Sequence, residues 1–139
     1  MHKNYFEIKA PTTFELGRRK GELFGEFLRE SLEEEKRDPL WPEKVRRSHG
    51  YLEPTAKLFP SLVDEYRGYA QGARVAFEDV WTLDIDEELE QQQQDKCTTV
   101  VSNSGYLVSH NEDWAADSAD AICILRRTVA DLTVFELYY

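Results

Sequence analysis

The stretch that decides the fold opens with Asp95-Lys96-Cys97-Thr98-Thr99-Val100-Val101 and closes with His110-Asn111-Glu112-Asp113-Trp114. Before it, apolar side chains recur at the three- and four-residue spacing of helices, and after it they alternate as in strands. Gly105 permits a turn between the two halves of the stretch. The pattern predicts a helical first part, 1–96, and the start of a sheet, 97–139, which together form one α+β domain.

Length and charge limit the classes of protein to which the chain can belong. Its 139 residues fit one domain. The chain has 17 Lys plus Arg against 27 Asp plus Glu, a formal net charge of -10, which disfavours binding to nucleic acid or to anionic lipid. No apolar run approaches the ~20 residues of a membrane span, and the first residues lack the apolar run of a secretory signal. We therefore expect a cytoplasmic protein without nucleic-acid or membrane partners.

The first part of the chain opens with a strand pattern followed by a helix pattern. Residues 5–10 alternate apolar and polar side chains, which predicts a short edge strand. Thr12 stands three residues before Glu15, the spacing of a capping box that satisfies free N–H groups at a helix start. The buried stripe predicted for this helix comprises Leu16, Leu23, Phe24, Phe27, Leu28 and Leu32.

Three glycines recur every four residues on a neighbouring face of the same helix, at Gly17, Gly21 and Gly25. Each costs helix stability, roughly 1 kcal/mol relative to Ala. The compensation we expect is close approach of another element, because no side chain keeps the two backbones apart. A rival interpretation makes this face, with exposed aromatic residues, an interface for another protein.

The rest of the first part predicts three more helices and a linker. The helices are expected over about 43–58, from a Ser61 cap to Gly72, and from Phe77 onward. Apart from Leu89, the run 87–96 is polar, and it contains four consecutive glutamines, which is typical of a solvated linker. A linker in this place is also accessible to cleavage.

After the linker the pattern predicts two hairpins. The first joins 98–102 to 106–111, and the second joins 121–128 to 132–139 with its turn at Ala130-Asp131.

The two cysteines, Cys97 and Cys123, have different surroundings. Cys123 lies in the apolar run Ala-Ile-Cys-Ile-Leu and is expected in the core. A nucleophilic cysteine needs a base or a lowered pKa. If the peptide bond before Cys97 is cut, its own α-amino group, with an ordinary pKa of about 7.7–8.0, can accept the thiol proton. The polar run before Cys97 and the strand after it fit this chemistry.

These residues resemble one enzyme family. The run Cys97-Thr98-Thr99, the stretch His110-Asn111-Glu112-Asp113-Trp114 and the leader Thr13-Phe14-Glu15-Leu16-Gly17 are similar to the acyl-coenzyme A:6-aminopenicillanic acid acyltransferase family of self-processing N-terminal-nucleophile hydrolases. The resemblance implies a four-layer αββα fold and cleavage between Lys96 and Cys97. It also implies attack by the Cys97 thiolate on an amide or acyl-thioester bond of a small-molecule substrate.

The resemblance also implies roles for neighbouring residues. Asp113 would contact the amine of the nucleophile, and a carboxylate there would hold and orient the ammonium group. Asn111 would pack or hydrogen-bond beside it. Thr98 and Thr99 would supply N–H or hydroxyl groups near the thiol, and the role of His110 stays open.

The chain departs from the family pattern at two places. Lys96 precedes the nucleophile where several relatives have glycine, and the oxyanion-stabilising Asn and the later Arg of such enzymes would fall beyond Tyr139. We therefore expect an N-terminal portion of a precursor, whose partner is the remainder of the polypeptide. No cofactor is expected, and a homo-oligomer remains open.

Other interpretations of the same residues stay open. Cys97 can be an ordinary strand cysteine, and Asp113 can be a turn residue. His110, Glu112 and Asp113 are ligand types, but consecutive strand positions point to opposite faces, so no metal site is expected. The rival functions are a catalytically silent α+β domain for protein–protein interaction and a plain thiol hydrolase without processing.

Overall fold

The chain is an α+β protein, as its sequence pattern predicts. The computed structural model describes residues 4–85, 89, 97–102, 107–112 and 122–138. The elements are β1 Tyr5–Ala10, α1 Thr13–Glu35, α2 Trp41–Leu58, α3 Pro60–Ala73, α4 Phe77–Asp84, β2 Cys97–Ser102, β3 Leu107–Glu112, β4 Cys123–Val129 and β5 Leu132–Tyr138. Among these described residues, no helix is long and apolar enough to cross a membrane.

Helix α1 begins where the capping box predicts. Thr12 is extended, with φ -136°, and its hydroxyl oxygen accepts a hydrogen bond of 3.2 Å from the backbone N–H of Glu15. This bond satisfies one of the N–H groups that have no partner inside the helix. The predicted start of α1 is confirmed.

Helices α1 and α3 touch backbone to backbone through glycines. A Cβ added at Gly17 would lie 1.9 Å from the carbonyl oxygen of Glu65, and one added at Gly72 would lie 2.0 Å from that of Arg18. Only a residue without a side chain permits such contact. The close approach predicted from the glycine spacing is confirmed, and α3 is the element that makes it. The glycine face is therefore already occupied inside the chain.

Two predicted features of the helix ends are wrong. Gly72 lies inside α3, which ends at Ala73 and is capped by Arg74 in the left-handed conformation, φ 61°. Ser61 is not a cap, because α3 begins one residue earlier at Pro60 and makes no side-chain cap hydrogen bond. A proline in the first helical turn needs no N–H partner and already has a helical φ.

The buried stripe of α1 is narrower than predicted. Leu16, Leu28 and Leu32 are buried, but Leu23 and Phe27 are 45% and 44% exposed. The glycine face takes the side of α1 that meets α3, so these two apolar residues lie outside the helix–helix contact.

Among the residues that the structure describes, the core has two parts. One lies between the helices and consists of the buried residues Leu28, Leu32, Trp41, Tyr69, Ala70, Ala73 and Val80. The other lies between α1 and the sheet and consists of Ile8, Ala10, Leu16 and Leu125. Cys123 is buried, 6% exposed, as its apolar run predicts.

The larger sheet has the strand order β1-β4-β5. β1 is parallel to β4, with Tyr5 opposite Ile124, and it is an edge strand of this sheet as predicted. β4 and β5 form the predicted antiparallel hairpin, whose turn holds Ala130 at φ 50°. The β1–β4 ladder joins the helical first part of the chain to the part beyond Cys97.

Candidate functional site

The candidate nucleophile Cys97 is the first residue of β2. β2 pairs antiparallel with β3, and the register places Cys97 opposite Glu112 and Thr98 opposite Asn111. The hairpin predicted around Gly105 is thereby confirmed in its strands. The backbone position opposite the candidate nucleophile belongs to Glu112, the residue that directly precedes Asp113 in sequence.

Of the other residues predicted to lie near Cys97, some are described by the structure and some are not. Thr99 lies opposite His110 in the same ladder. Lys96 and Asp113 lie outside the described residues. The contact of the Asp113 carboxylate with the amine of Cys97, and the cleavage of the Lys96–Cys97 bond, therefore stay predictions.

The β2–β3 hairpin forms a sheet of its own among the described strands. Val100 and Val101 are 55% and 62% exposed, and Ser102 and Ser109 are also exposed. Because consecutive strand residues point to opposite faces, the hairpin is open to solvent on both faces at these two valines.

Sequence reasoning missed a charged cluster between the helices and the larger sheet. Lys20 Nζ of α1 lies 2.9 Å from a carboxylate oxygen of Glu136 on β5, and Arg127 of β4 lies 3.1 Å from the other. Arg127 also donates to Glu65 of α3. The cluster joins elements that are far apart in sequence, so no local sequence pattern predicts it. It ties both helices to β4 and β5.

Burial dominates the electrostatics of this cluster. It raises the pKa of Glu65 above its ordinary value even though Arg127 and Lys20 lower it. Burial raises the pKa of Tyr69 to about 12, and the phenol of Tyr69 hydrogen-bonds that of Tyr138. The raised pKa keeps the phenol of Tyr69 neutral at neutral pH, and the ion pairs that join α1, α3, β4 and β5 make the cluster part of the packing.

Cys123 lies beside this cluster and is not poised to react. Burial raises the pKa of its thiol, an effect that Lys20 only partly offsets. The thiolate is the reactive form of cysteine, so a raised pKa keeps the group inert at neutral pH. Of the two cysteines, Cys97 therefore remains the candidate nucleophile.

Metal ligation and comparison with known proteins were the two other possible indications of the reaction at Cys97. Within the described ranges, no group of three His, Cys, Asp or Glu residues is placed to hold a metal ion. The chain is thus defined as an α+β protein with a cysteine at the head of an antiparallel hairpin. No protein-family model matches it, and no curated protein matches it either.

Proposed function

We propose that the chain is part of a self-processing cysteine amidohydrolase or acyltransferase of the N-terminal-nucleophile type, with Cys97 as nucleophile. The observation that carries the proposal is the register of the hairpin, in which Cys97 opens β2 opposite Glu112 at the end of β3. The next residue in sequence is Asp113. A chain end created before Cys97 would thus start a strand whose partner strand leads into a carboxylate.

The proposed processing is an N→S acyl shift. The Cys97 sulfur loses its proton and attacks the carbonyl carbon of Lys96. The C–N bond to Cys97 then breaks, and the former amide nitrogen takes up that proton to become the free α-amine of Cys97. Water then hydrolyses the thioester that links Lys96 to the sulfur. The products are a carboxylate at Lys96 and a chain that begins with a cysteine bearing both thiol and amine.

The proposed reaction on substrate uses the same two groups. The α-amine accepts the thiol proton, and the thiolate attacks a linear amide or an acyl thioester to form a thioester acyl-enzyme. The amine returns the proton to the leaving group. Water or a second amine then takes the acyl group, which gives hydrolysis or acyl transfer. The Asp113 carboxylate would hold the protonated amine in place.

The fold is compatible with a cut between Lys96 and Cys97. β1 lies before the proposed cut and β4 after it, and the two strands form a six-pair ladder from Tyr5–Ile124 to Ala10–Val129. Lys20 and Glu65, before the cut, pair with Glu136 and Arg127 after it. The two pieces would therefore stay associated and separate only on denaturation.

The test is the intact mass of the purified protein under denaturing conditions, with native size measured in parallel. We expect two pieces that divide between Lys96 and Cys97 and that co-elute natively, and an uncut chain for Cys97→Ala. Asp113→Asn should slow the cut, whereas Lys96→Gly should speed it. An uncut wild-type chain whose Lys96→Gly variant also stays whole contradicts the processing step.

A second experiment separates processing from catalysis. The protein is incubated with a short-chain acyl thioester and with an acyl anilide, and the mass of the Cys97-containing piece is followed. An acyl adduct absent from Cys97→Ala supports the thioester intermediate. An acylated but uncut chain favours a plain thiol hydrolase instead.

A catalytically silent protein-binding domain is the alternative, and one surface favours it. The outer face of the larger sheet carries three apolar side chains at neighbouring positions, Ile124, Phe135 and Leu137, which are 45%, 64% and 47% exposed. An uncut chain that also takes up no acyl group would support this alternative.

A further inference from the structure

The outer edge of β1 has a defined hydrogen-bonding pattern. The carbonyl of Asn4 accepts a 2.8 Å hydrogen bond from the N–H of Ile124, and in a parallel ladder the residues that bond to the neighbour alternate. The backbone groups of Phe6, Ile8 and Ala10 therefore turn toward β4, and those of the residues between them turn away. Arg19 of α1 donates to the carbonyl of Lys9, which confirms that this carbonyl lies on the outer edge.

The charges on this edge are self-complementary in one antiparallel register. Glu7 and Lys9 are exposed, and both have outward-turned backbone groups. If a second β1 pairs with the first about a twofold axis at Ile8, each Glu7 lies opposite the partner's Lys9. Opposite charges in directly facing positions stabilise a strand pair, and like charges destabilise it. An axis at Glu7 would instead place two glutamates face to face.

Helix α1 carries an apolar stripe that is only partly covered. Leu16, Leu23 and Phe27 have the spacing i, i+7, i+11 and lie on one side of the helix. Leu16 is buried under the sheet, whereas Leu23 and Phe27 are nearly half exposed. Leu23 lines a surface groove together with Glu7, Ile8, Lys9, Arg19 and Glu22. A strand added at β1 would cover this groove.

We propose that the chain forms a twofold dimer in which β1 pairs antiparallel with β1 of a second copy, with Ile8 at the axis. Two ion pairs, each between Glu7 and the partner's Lys9, select the register. The larger sheets of the two copies become one continuous sheet, and Leu23 of each copy is covered at the seam. The Lys9 carbonyl has two lone pairs, so it accepts from Arg19 and from the partner strand together.

Three features oppose this association. Within one copy, Glu7 Oε1 already lies 3.0 Å from Nη1 of Arg126 and accepts a 2.8 Å hydrogen bond from the Tyr5 hydroxyl, so the carboxylate must be shared with the partner's Lys9. Each copy carries a net charge of -10, which repels another copy. Lysine on an edge strand commonly discourages pairing with other strands. Here Glu7 lies two residues from that lysine, so the lysine of one copy can pair with the glutamate of the other. The charge of Lys9 therefore favours one partner and one register.

The test is a charge exchange followed by sedimentation velocity over a range of protein concentrations. Glu7→Lys alone and Lys9→Glu alone place like charges opposite one another, and each should raise the dimer dissociation constant by at least about tenfold. A mixture of the two variants pairs lysines with glutamates at every facing position and should form a heterodimer. The double variant E7K/K9E restores opposite charges at every facing position and should dimerise more strongly than either single variant, although it loses the Glu7–Arg126 ion pair within each copy.

Circular dichroism and thermal unfolding check that each variant is folded. The mixture of the two single variants is compared with each variant alone, so it needs no comparison with the wild type. Heterodimers in the mixture from two monomeric variants support the proposal. A wild-type chain that stays monomeric at every concentration overturns it. Dimers that persist unchanged in both single variants also overturn it, because they would form through another surface, such as the outer face of the sheet. None of these outcomes depends on cleavage or acylation at Cys97.

Discussion

Gly17 of α1 lies directly against the carbonyl oxygen of Glu65 on α3, so close that a Cβ at Gly17 would be 1.9 Å from that oxygen. The neighbour is backbone, which cannot rotate away as the end of a side chain can. The same contact recurs along the helix pair at Gly21, where the nearest atom to an added Cβ would be the Tyr69 carbonyl oxygen at 2.3 Å. The α1–α3 pair therefore has a separation that only glycine permits at these two positions.

Gly17→Ala should destabilise the protein by more than about 3 kcal/mol, because the two helices must separate to admit the methyl group. Gly50→Ala is the matched control. Gly50 lies inside α2 with nothing within 4 Å of an added Cβ, so alanine should stabilise the helix by about 0.5–1 kcal/mol. Urea unfolding followed by circular dichroism measures both changes. Equal effects of the two substitutions would refute the backbone contact.

Ala130→Gly should stabilise the β4–β5 hairpin by up to about 1 kcal/mol. Ala130 has φ 50°, a conformation that costs an L-residue with a Cβ roughly this much and costs glycine almost nothing. Ala56→Gly, inside α2, is the control and should destabilise by about 1 kcal/mol. Opposite signs in the two unfolding free energies confirm the turn conformation, and a loss of stability in both variants argues against it.

Glu65 should make the protein less stable as the pH rises. Its folded pKa is raised by burial, so the folded state binds a proton that the unfolded state has already released. The free energy of unfolding therefore falls as the pH rises from the ordinary value of the carboxyl through its raised folded value. Glu65→Gln should remove this slope, which urea unfolding at a series of pH values measures.

Glu15→Gln is the control for that pH series, because the pKa of Glu15 is shifted in the opposite direction to that of Glu65. The hydrogen bond from Arg18 lowers the pKa of Glu15, so its contribution is present above the ordinary carboxyl pKa and is lost as the pH falls through the lowered value. The difference between wild type and each variant isolates the one carboxyl group that was changed. Two differences with the same pH slope would contradict the assigned directions.

Cys123 should resist alkylation until the protein unfolds. Its side chain is 6% exposed, and burial raises the pKa of its thiol. In a Cys97→Ser variant, iodoacetamide at mild alkaline pH should leave the native protein unmodified and add one label in denaturant, as intact mass will show. Rapid labelling of the native variant would mean that β4 opens readily.

Local patterns predict the elements of this fold well and their partners poorly. The Thr12–Glu15 spacing predicts the start of α1, and the Gly17 series predicts a close backbone contact, because both signals lie within a few turns of one helix. Nothing in the alternation of residues 5–10 indicates that β1 pairs with β4, since that ladder joins residues such as Glu7 and Arg126, 119 positions apart.

The candidate site shows the same division. The hairpin strands and the place of Cys97 at the head of β2 could be predicted from the glycine at position 105 and the alternating pattern on either side of it. The register that sets Glu112 opposite Cys97 is also local, because a short loop fixes it. The Lys20–Glu136–Arg127–Glu65 cluster joins four elements and has no sequence signature, so only the folded chain reveals it.

The long separation of β1 from β4 also fixes an order of events during synthesis. At the usual pace of a ribosome, roughly 6–24 s pass between the emergence of the two strands. In that interval α1 and α3 can already pack together through their glycines. Ile8 and Leu16 stay exposed to solvent until Leu125 has been synthesised and can cover them. At this stage the nascent protein consists of packed helices with one exposed apolar face. We expect chaperones to bind it at this stage.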